Sequence, residues 1–426
     1  MISAREAAYR SLVKISTQNK YSNLETDASI KKFGLEGAEK SLYTRLVYGV
    51  SERRITLDYY IGAFSDKPTD DIDTELKIIL EIALYQMLYC ERIPNHAIVN
   101  EAVETAKRHG KHSSDSFVNA VLRRAARDID KVTLPLDENK RLSIEYSMPE
   151  WICRHFISDY GKEKAGEILD AVNEIPYMTL RVNTLKTTKD ELCSVFADNG
   201  ISFEKGELEE SLHIVGNADF GMIEKIAGEK FFVQDEASQT AVKTLSPKKG
   251  NFVIDTCACP GGKSFGMAML MENEGKILSL DLHKNKLSLV EEGAKRLGID
   301  IIETAEHNGK APIEEFIGKA DCVLCDVPCS GLGVIAKKPE IRYKSKEEIE
   351  RLPEIQSQIL CAGGKYLKKG GKLLYSTCTL NKKENENVVE DFLHNNKGYK
   401  LLSMQTIFPK KRTSDGFFFA LIEKTE

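Results

Sequence analysis

The sequence predicts a doubly wound α/β domain, preceded by an all-helical domain and a small α+β subdomain. Three observations carry that reading. Apolar residues recur at spacings of three and four through the first third of the chain. Helical and strand-like stretches mix from about 142 to 235. From about 236 onward, short runs that are mostly apolar on both faces alternate with helical stretches, the βαβ rhythm of a buried parallel sheet.

Taken in order, "AREAAYRSLVKI", "TELKIILEIALYQMLY" and "AIVNEAVETAKRHG" each present one apolar face of a helix. Pro94-Asn95 punctuates the last two, and Gly110 stops the third as a C-terminal glycine does. "DSFVNAVLRRAARDI" is a further helix bearing Arg123, Arg124 and Arg127. The polar stretch 133–141 is the natural boundary, giving a first domain over 1–138. In 139–235, "PEWICRHFISDYG" reads as helix, "YMTLRVNTL" alternates as a strand, and "TKDELCSVFADNG" is a helix stopped by Gly200. In 236–426, "NFVIDTCA", "KILSLDL", "DCVLCDVP" and "GKLLYSTCTL" read as the buried strands, and "DGFFFALIEK" as a terminal antiparallel strand. A ligand on such a sheet is expected at the carboxyl ends of the strands.

The 426 residues carry a net charge of −5, which neither announces nor excludes a nucleic-acid partner, since binding needs only a local basic face. Residues 1–15 lack the apolar region of a secretion signal, and no run approaches a membrane span. The expected location is the cytoplasm, where the ten cysteines stay reduced.

The stretch "DTCACPGGKS" (255–264) ends like a phosphate-binding loop, but the position five before Gly262 is Cys257 rather than glycine. A dinucleotide fingerprint fails too, because Gly261 and Gly262 are adjacent. What remains is strand, glycine turn and helix, then a second strand ending at Asp281, placed to meet ribose hydroxyls. A nucleoside ligand without a pyrophosphate suits these parts, and S-adenosylmethionine is the commonest on such a sheet. A purely structural turn is the alternative.

Cys329 and Cys378 follow predicted central strands, and Asp326 lies at the same edge. A thiol, an acid and a methyl donor fit methylation of a pyrimidine at carbon 5. Thiolate addition at carbon 6 makes an enamine that attacks the methyl, and loss of the carbon-5 proton expels the thiol. The acid would support addition near ring nitrogen 3, itself protonated or sharing a proton with the base in a dry pocket. Against this stands the ordinary fate of free cysteines as small buried hydrophobes. That reading suits Cys90, Cys153, Cys193 and Cys361, and also Cys322 and Cys325 inside a strand. The spacing of Cys322, Cys325 and Cys329 also invites an iron–sulfur reading, but a strand would splay those thiols apart.

"CACPGGK", "CDVPCSG" and "YSTCTL", in this order, resemble the signatures of the NOL1/NOP2/Sun family of RNA cytosine-5 methyltransferases. "TLRVNTLK", "FFVQDEAS" and "KKPEIRYK" agree. The first third resembles the NusB RNA-binding domain, through "AREAAYRSLVKI", "IPNHAIVNEAVETAK" and "FVNAVLRRA", which points to the RsmB (Sun) subfamily acting on 16S ribosomal RNA. The resemblance implies a class I, Rossmann-like methyltransferase sheet. It implies a cofactor loop of Cys257, Ala258, Cys259, Pro260, Gly261, Gly262 and Lys263 facing S-adenosylmethionine, with Asp281 on its ribose. It implies Asp326 on the target cytosine, Cys378 as nucleophile and Cys329 assisting product release.

Two positions depart from the family pattern. Cys259 stands where alanine is usual, and Asn308 where an aspartate often meets the adenine amino group. The candidate basic contacts to RNA are Lys337, Lys338, Arg342 and Lys344, then 410–412, then the three arginines of the first domain. The expected partner is 16S ribosomal RNA, with no membrane association, and the expected state a monomer. A transfer-RNA methyltransferase and a non-catalytic assembly factor are the competing readings.

Overall fold

Residues 2–18, 22–110, 113–216 and 220–426 are described by the computed structural model. The apolar stripes of the first third close on one another as helices Ala4–Gln18, Ser22–Phe33, Gly37–Phe64, Thr74–Tyr89, Asn95–His109 and Ser114–Asp128. Leu12, Leu46, Val50, Leu80, Leu84 and Leu122 fill their shared core, fully buried. Gly49 permits that packing: a Cβ there would stand 2.1 Å from the Tyr85 ring. This compact unit runs to His155, past the polar stretch at 133–141. Helix Glu138–Tyr146 belongs to it because Thr56 Oγ1 donates to the Ile144 carbonyl at 2.5 Å, and Ser147 Oγ accepts from the Ile55 amide at 3.1 Å.

The second unit, Phe156–Glu426, holds two sheets. The smaller is antiparallel, built from β1 (Met178–Val182), β2 (Phe203–Lys205), β3 (Ser211–Ile214) and β4 (Phe231–Val233) in the order β2-β3-β1-β4. The larger contains β5 (Phe252–Asp255), β6 (Lys276–Asp281), β7 (Ile302–Glu306), β8 (Ala320–Asp326), β9 (Leu367–Thr377), β10 (Tyr399–Ile407) and β11 (Phe417–Lys424). Its order is β10-β11-β9-β8-β5-β6-β7. Strands β5 to β9 pair in parallel, and β11 runs antiparallel to β9 and β10, as the alternating terminal segment predicts.

The chain proceeds outward from β5 to β7, then crosses back to β8 on the other side of β5. The β5/β8 boundary is therefore the topological switch point, where the loops above the strands diverge and open a crevice. Both faces of the sheet are covered, with Val253, Leu324 and Leu374 facing one core and Ile254, Val323 and Leu373 the other.

Candidate active site

The glycine turn follows β5 at that switch point. Gly261 adopts φ +108° and stands immediately before helix Gly262–Leu270; a Cβ there would lie 2.4 Å from the Phe265 ring. Glycine is thus required twice over, for the left-handed backbone and for the space. The turn is tied down from both sides. The Ala258 amide donates to the Leu280 carbonyl at 2.8 Å, and the Cys257 amide approaches Asp255 Oδ1 at 3.4 Å. The Cys259 amide approaches Asp281 Oδ2 at 3.3 Å. Pro260, joined to Cys259 by a cis peptide bond, is exposed beside Gly261.

Beneath the turn, Asp255 is fully buried and receives the Ser264 hydroxyl at 2.7 Å; Ser264 Oγ lies 2.9 Å from Ser279 Oγ. Burial pushes Asp255 up to about 7, with the nearby charge of Asp326 adding to it and the Ser264 hydroxyl opposing it. Asp281 ends β6 partly exposed, and its Oδ1 accepts the His283 amide at 3.0 Å. Burial and the Asp281 carboxylate together push the Cys259 thiol up to about 12, so the departure from alanine adds a neutral side chain, not a charge.

Asn308 lies at the carboxyl end of β7, exposed. Its Oδ1 accepts the Lys310 amide at 3.2 Å, and the preceding His307 amide donates to the Asp281 carbonyl at 3.0 Å. Asn308 is therefore joined to the Asp281 strand end through backbone, while its own side chain shapes a local turn.

Across the switch point, Asp326 ends β8. Lys263 Nζ reaches its Oδ2 at 2.7 Å and Ser376 Oγ its Oδ1 at 2.8 Å. The sequence reading asks here for an acid that is protonated or shares a proton with the base. In the structure both oxygens are acceptors, and the acid is half of an ion pair with Lys263. Burial alone would lower the Lys263 pKa; the Asp326 charge and hydrogen bond outweigh it and hold the lysine above its ordinary value. The ammonium also stands 5.2 Å over the Phe417 ring.

Cys378 directly follows β9, and Cys329 lies on the loop after β8. Their sulfurs are 3.1 Å apart, a hydrogen-bonded contact. That hydrogen bond holds the Cys378 thiol below its ordinary value; Lys263 and Lys338 help, while burial and Asp326 oppose. The same bond, followed by burial, the charge of Cys378 and then that of Glu384, pushes Cys329 well above its ordinary value. These effects favour negative charge on Cys378 over Cys329.

The structure thus gathers Lys263, Asp326, Cys329 and Cys378 into one crevice, with Asp281 at the neighbouring strand end. Sequence reasoning misses Ser376, Glu384 and Gln356, which support that crevice. "NKKENEN" after "YSTCTL" offers a faint signal for Glu384, as a charged turn following a buried strand.

One candidate among the basic segments, Arg342, needs correction, and most of the others are engaged in ion pairs or hydrogen bonds. Arg342 is buried and structural, its Nη1 donating to Asn173 Oδ1 at 3.1 Å. Lys337 bridges Asp235 and Asp415 at 2.7 Å each, and Lys344 Nζ donates to the Ser330 carbonyl at 3.0 Å. Lys410, Lys411 and Arg412 pair with Glu207, Asp170 and Glu174. In the helical unit Arg124 pairs with Asp66, Arg127 with Asp128, and Arg123 Nε donates to Asn119 Oδ1. Lys338 remains exposed, near enough to Cys378 for its charge to act there.

The family model described as 16S rRNA methyltransferase RsmB/F matches residues 242–423, the NusB family matches 2–127, and the RsmF/B-like ferredoxin-like domain matches 148–220. A probable ribosomal RNA small subunit methyltransferase B of Bacillus subtilis is 39% identical over 420 residues, covering 96% of this chain and 92% of the relative. One from Synechocystis sp. is 32% identical, covering 100% of both chains. The crystal structure of a protein designated PH0851 superposes with a TM-score of 0.83 at 26% identity, covering 100% of this chain and 99% of that one.

Proposed function

The chain belongs to the ribosomal RNA small subunit methyltransferase B family, and we propose that it methylates carbon 5 of a cytosine in 16S ribosomal RNA through a covalent bond from Cys378. S-adenosylmethionine-dependent transfer to ribosomal RNA is the family's activity; the cytosine chemistry and the residue roles are our reading. The observation that carries it is the 3.1 Å contact between Cys378 and Cys329 at the strand ends beside Asp326.

The turn 257–263 and Asp281 fit the cofactor. Asp281 is partly exposed at a strand end with acceptor capacity to spare for a diol, and the turn lies at the switch point where such sheets take their ligands. Asn308 keeps an oxygen lone pair for the adenine amino group. S-adenosylmethionine, when bound, supplies the methyl group as a sulfonium electrophile.

Cys378, held as thiolate, adds to carbon 6 of the cytosine. Negative charge then develops toward ring nitrogen 3, where the Lys263–Asp326 pair can supply a hydrogen bond or a proton. This adds a lysine partner to the acid of the sequence reading. Methylation at carbon 5 leaves one proton there; its transfer to solvent water re-forms the ring double bond and expels Cys378 as thiolate, which the Cys329 thiol, 3.1 Å away, can receive in a hydrogen bond. The base must leave its stack to reach this crevice, which favours a loop or single strand as target.

We further propose three parts, in keeping with the segments that the three family models cover, with the first boundary moved from 138 to the end of the compact helical unit at His155: 1–155, 156–235 and 236–426. We place the enzyme in the cytoplasm as a monomer. Among the described residues no helix is long and apolar enough to cross a membrane.

The deciding experiment supplies methyl-labelled S-adenosylmethionine and unmodified 16S ribosomal RNA to the native chain and to Cys378→Ala. Label on cytosine carbon 5 with the native chain alone is the expected result. Equal transfer by both, or label on another atom, would overturn the mechanism.

A further inference from the structure

Two thiols 3.1 Å apart, both at strand ends, pose a question that their sequence motifs leave open: what decides which one carries the negative charge? The answer lies on the far side of Cys329. Gln356, on helix Leu352–Tyr366, donates from one nitrogen to the Pro328 carbonyl at 3.0 Å and to Glu384 Oε2 at 2.9 Å. Glu384 Oε2 also accepts the Ser330 amide at 2.8 Å. The residues on both sides of Cys329 are thus gripped by one buried glutamine–glutamate pair.

Glu384 is itself anchored. Asn381 Nδ2 donates to its Oε1 at 2.9 Å, and the Tyr375 hydroxyl donates to its backbone carbonyl at 2.5 Å. Ser330 Oγ and Thr379 Oγ1 meet at 2.6 Å, and the Gly333 amide donates to the Cys378 carbonyl at 3.0 Å. The Cys329 loop is therefore laced to the Cys378 turn along its length.

The donors to the Glu384 carboxylate are a backbone amide and two side-chain amides, all neutral, so its charge is satisfied in hydrogen bonds but not cancelled. That charge opposes a thiolate at Cys329. The groups acting on Cys378 are of both signs, Lys263 and Lys338 against Asp326, and Lys263 is already paired with Asp326. On the Cys329 side, Lys344 Nζ is spent on the Ser330 carbonyl.

We propose that Glu384, clasped by Gln356, is a positioning residue that fixes the Cys329 segment against Cys378 and assigns their shared proton to Cys329. The inference rests on the reading of Cys378 as nucleophile, and supplies a physical reason for the order of the two cysteines.

The test uses the full chain without RNA, alkylated with iodoacetamide across a pH series, with each cysteine followed by peptide mass spectrometry. The native protein should alkylate Cys378 in preference to Cys329 at neutral pH. Glu384→Gln should reduce that preference by roughly tenfold or more, the effect of one pKa unit, with Cys329 becoming reactive at lower pH. Gln356→Met should reduce it as well, by releasing Pro328. Melting temperature and cofactor affinity report that each variant is folded. A folded Glu384→Gln protein with the native preference overturns the proposal; if that variant does not fold, a native preference in Gln356→Met overturns it instead. Failure of the nucleophile reading would show separately, as methyl transfer surviving in Cys378→Ala.

Discussion

Cys322 and Cys325 lie in the body of β8, whereas Cys329 lies four residues beyond Cys325, past the carboxyl end of the strand. All three belong to one stretch of eight residues, yet their surroundings share little. Cys325 is enclosed between sheet and helix, its sulfur 2.4 Å from where a Gly363 Cβ would stand, and burial pushes its thiol up to about 12. Cys322 is pushed up to about 11 by the same cause. Cys329 instead meets a second sulfur. The comparison teaches that reactivity here belongs to a place on the sheet rather than to a residue type: the strand body supplies only packing, while the strand end supplies partners.

The widest separation should appear between Cys378 and Cys325. Cys378→Ala is expected to lower transfer by more than about a thousandfold, as loss of a nucleophile does. Cys325→Ala should cost about 1 kcal/mol of stability and leave transfer per folded molecule within about twofold. Single-turnover rates beside urea melts separate the two, and equal rate losses would break the comparison.

Asp255 sharpens it next, since it is buried like Cys325 but titrates within the accessible range. Its native value of about 7 lies above the ordinary 3.8. Between those values the folded state holds a proton that the unfolded state has lost, so this contribution to stability is present below about pH 4 and declines as pH rises to 7. Asp255→Asn has no such proton and should flatten the decline by a few kcal/mol (order of magnitude). Urea midpoints at pH 5 and 7.5 check it; an unchanged difference would count against burial as the cause.

Gly261→Ala probes the turn between these regions. A side chain at φ +108° facing the Phe265 ring should cost about 1–3 kcal/mol and weaken cofactor binding, read by calorimetry. At the small end, Lys410→Gln removes an exposed pair with Glu207 and should change stability by less than about 1 kcal/mol, read by thermal melting.

Much of the fold was legible because its signals are local. The buried strands, the glycine turn and the terminal antiparallel strand each follow from neighbouring residues, and so did the placing of Asp326, Cys329 and Cys378 at strand ends. Their contacts were not. Ser376 meets Asp326 across 50 residues of sequence and Lys263 meets it across 63. Arg342 read as a candidate RNA contact because a basic run looks the same whether it faces solvent or a carbonyl.

The sequence by itself determined the strand–turn–helix grammar, the residue types at each strand end and the family resemblance, since periodicity and motif spacing are properties of the chain. Only the tertiary structure decided that Asp326 is paired with a lysine, that Arg342 is interior, and that a buried glutamate stands behind one cysteine of the pair. Charge and proton location depend on through-space distance and on exclusion of water, and neither exists until the strands are side by side.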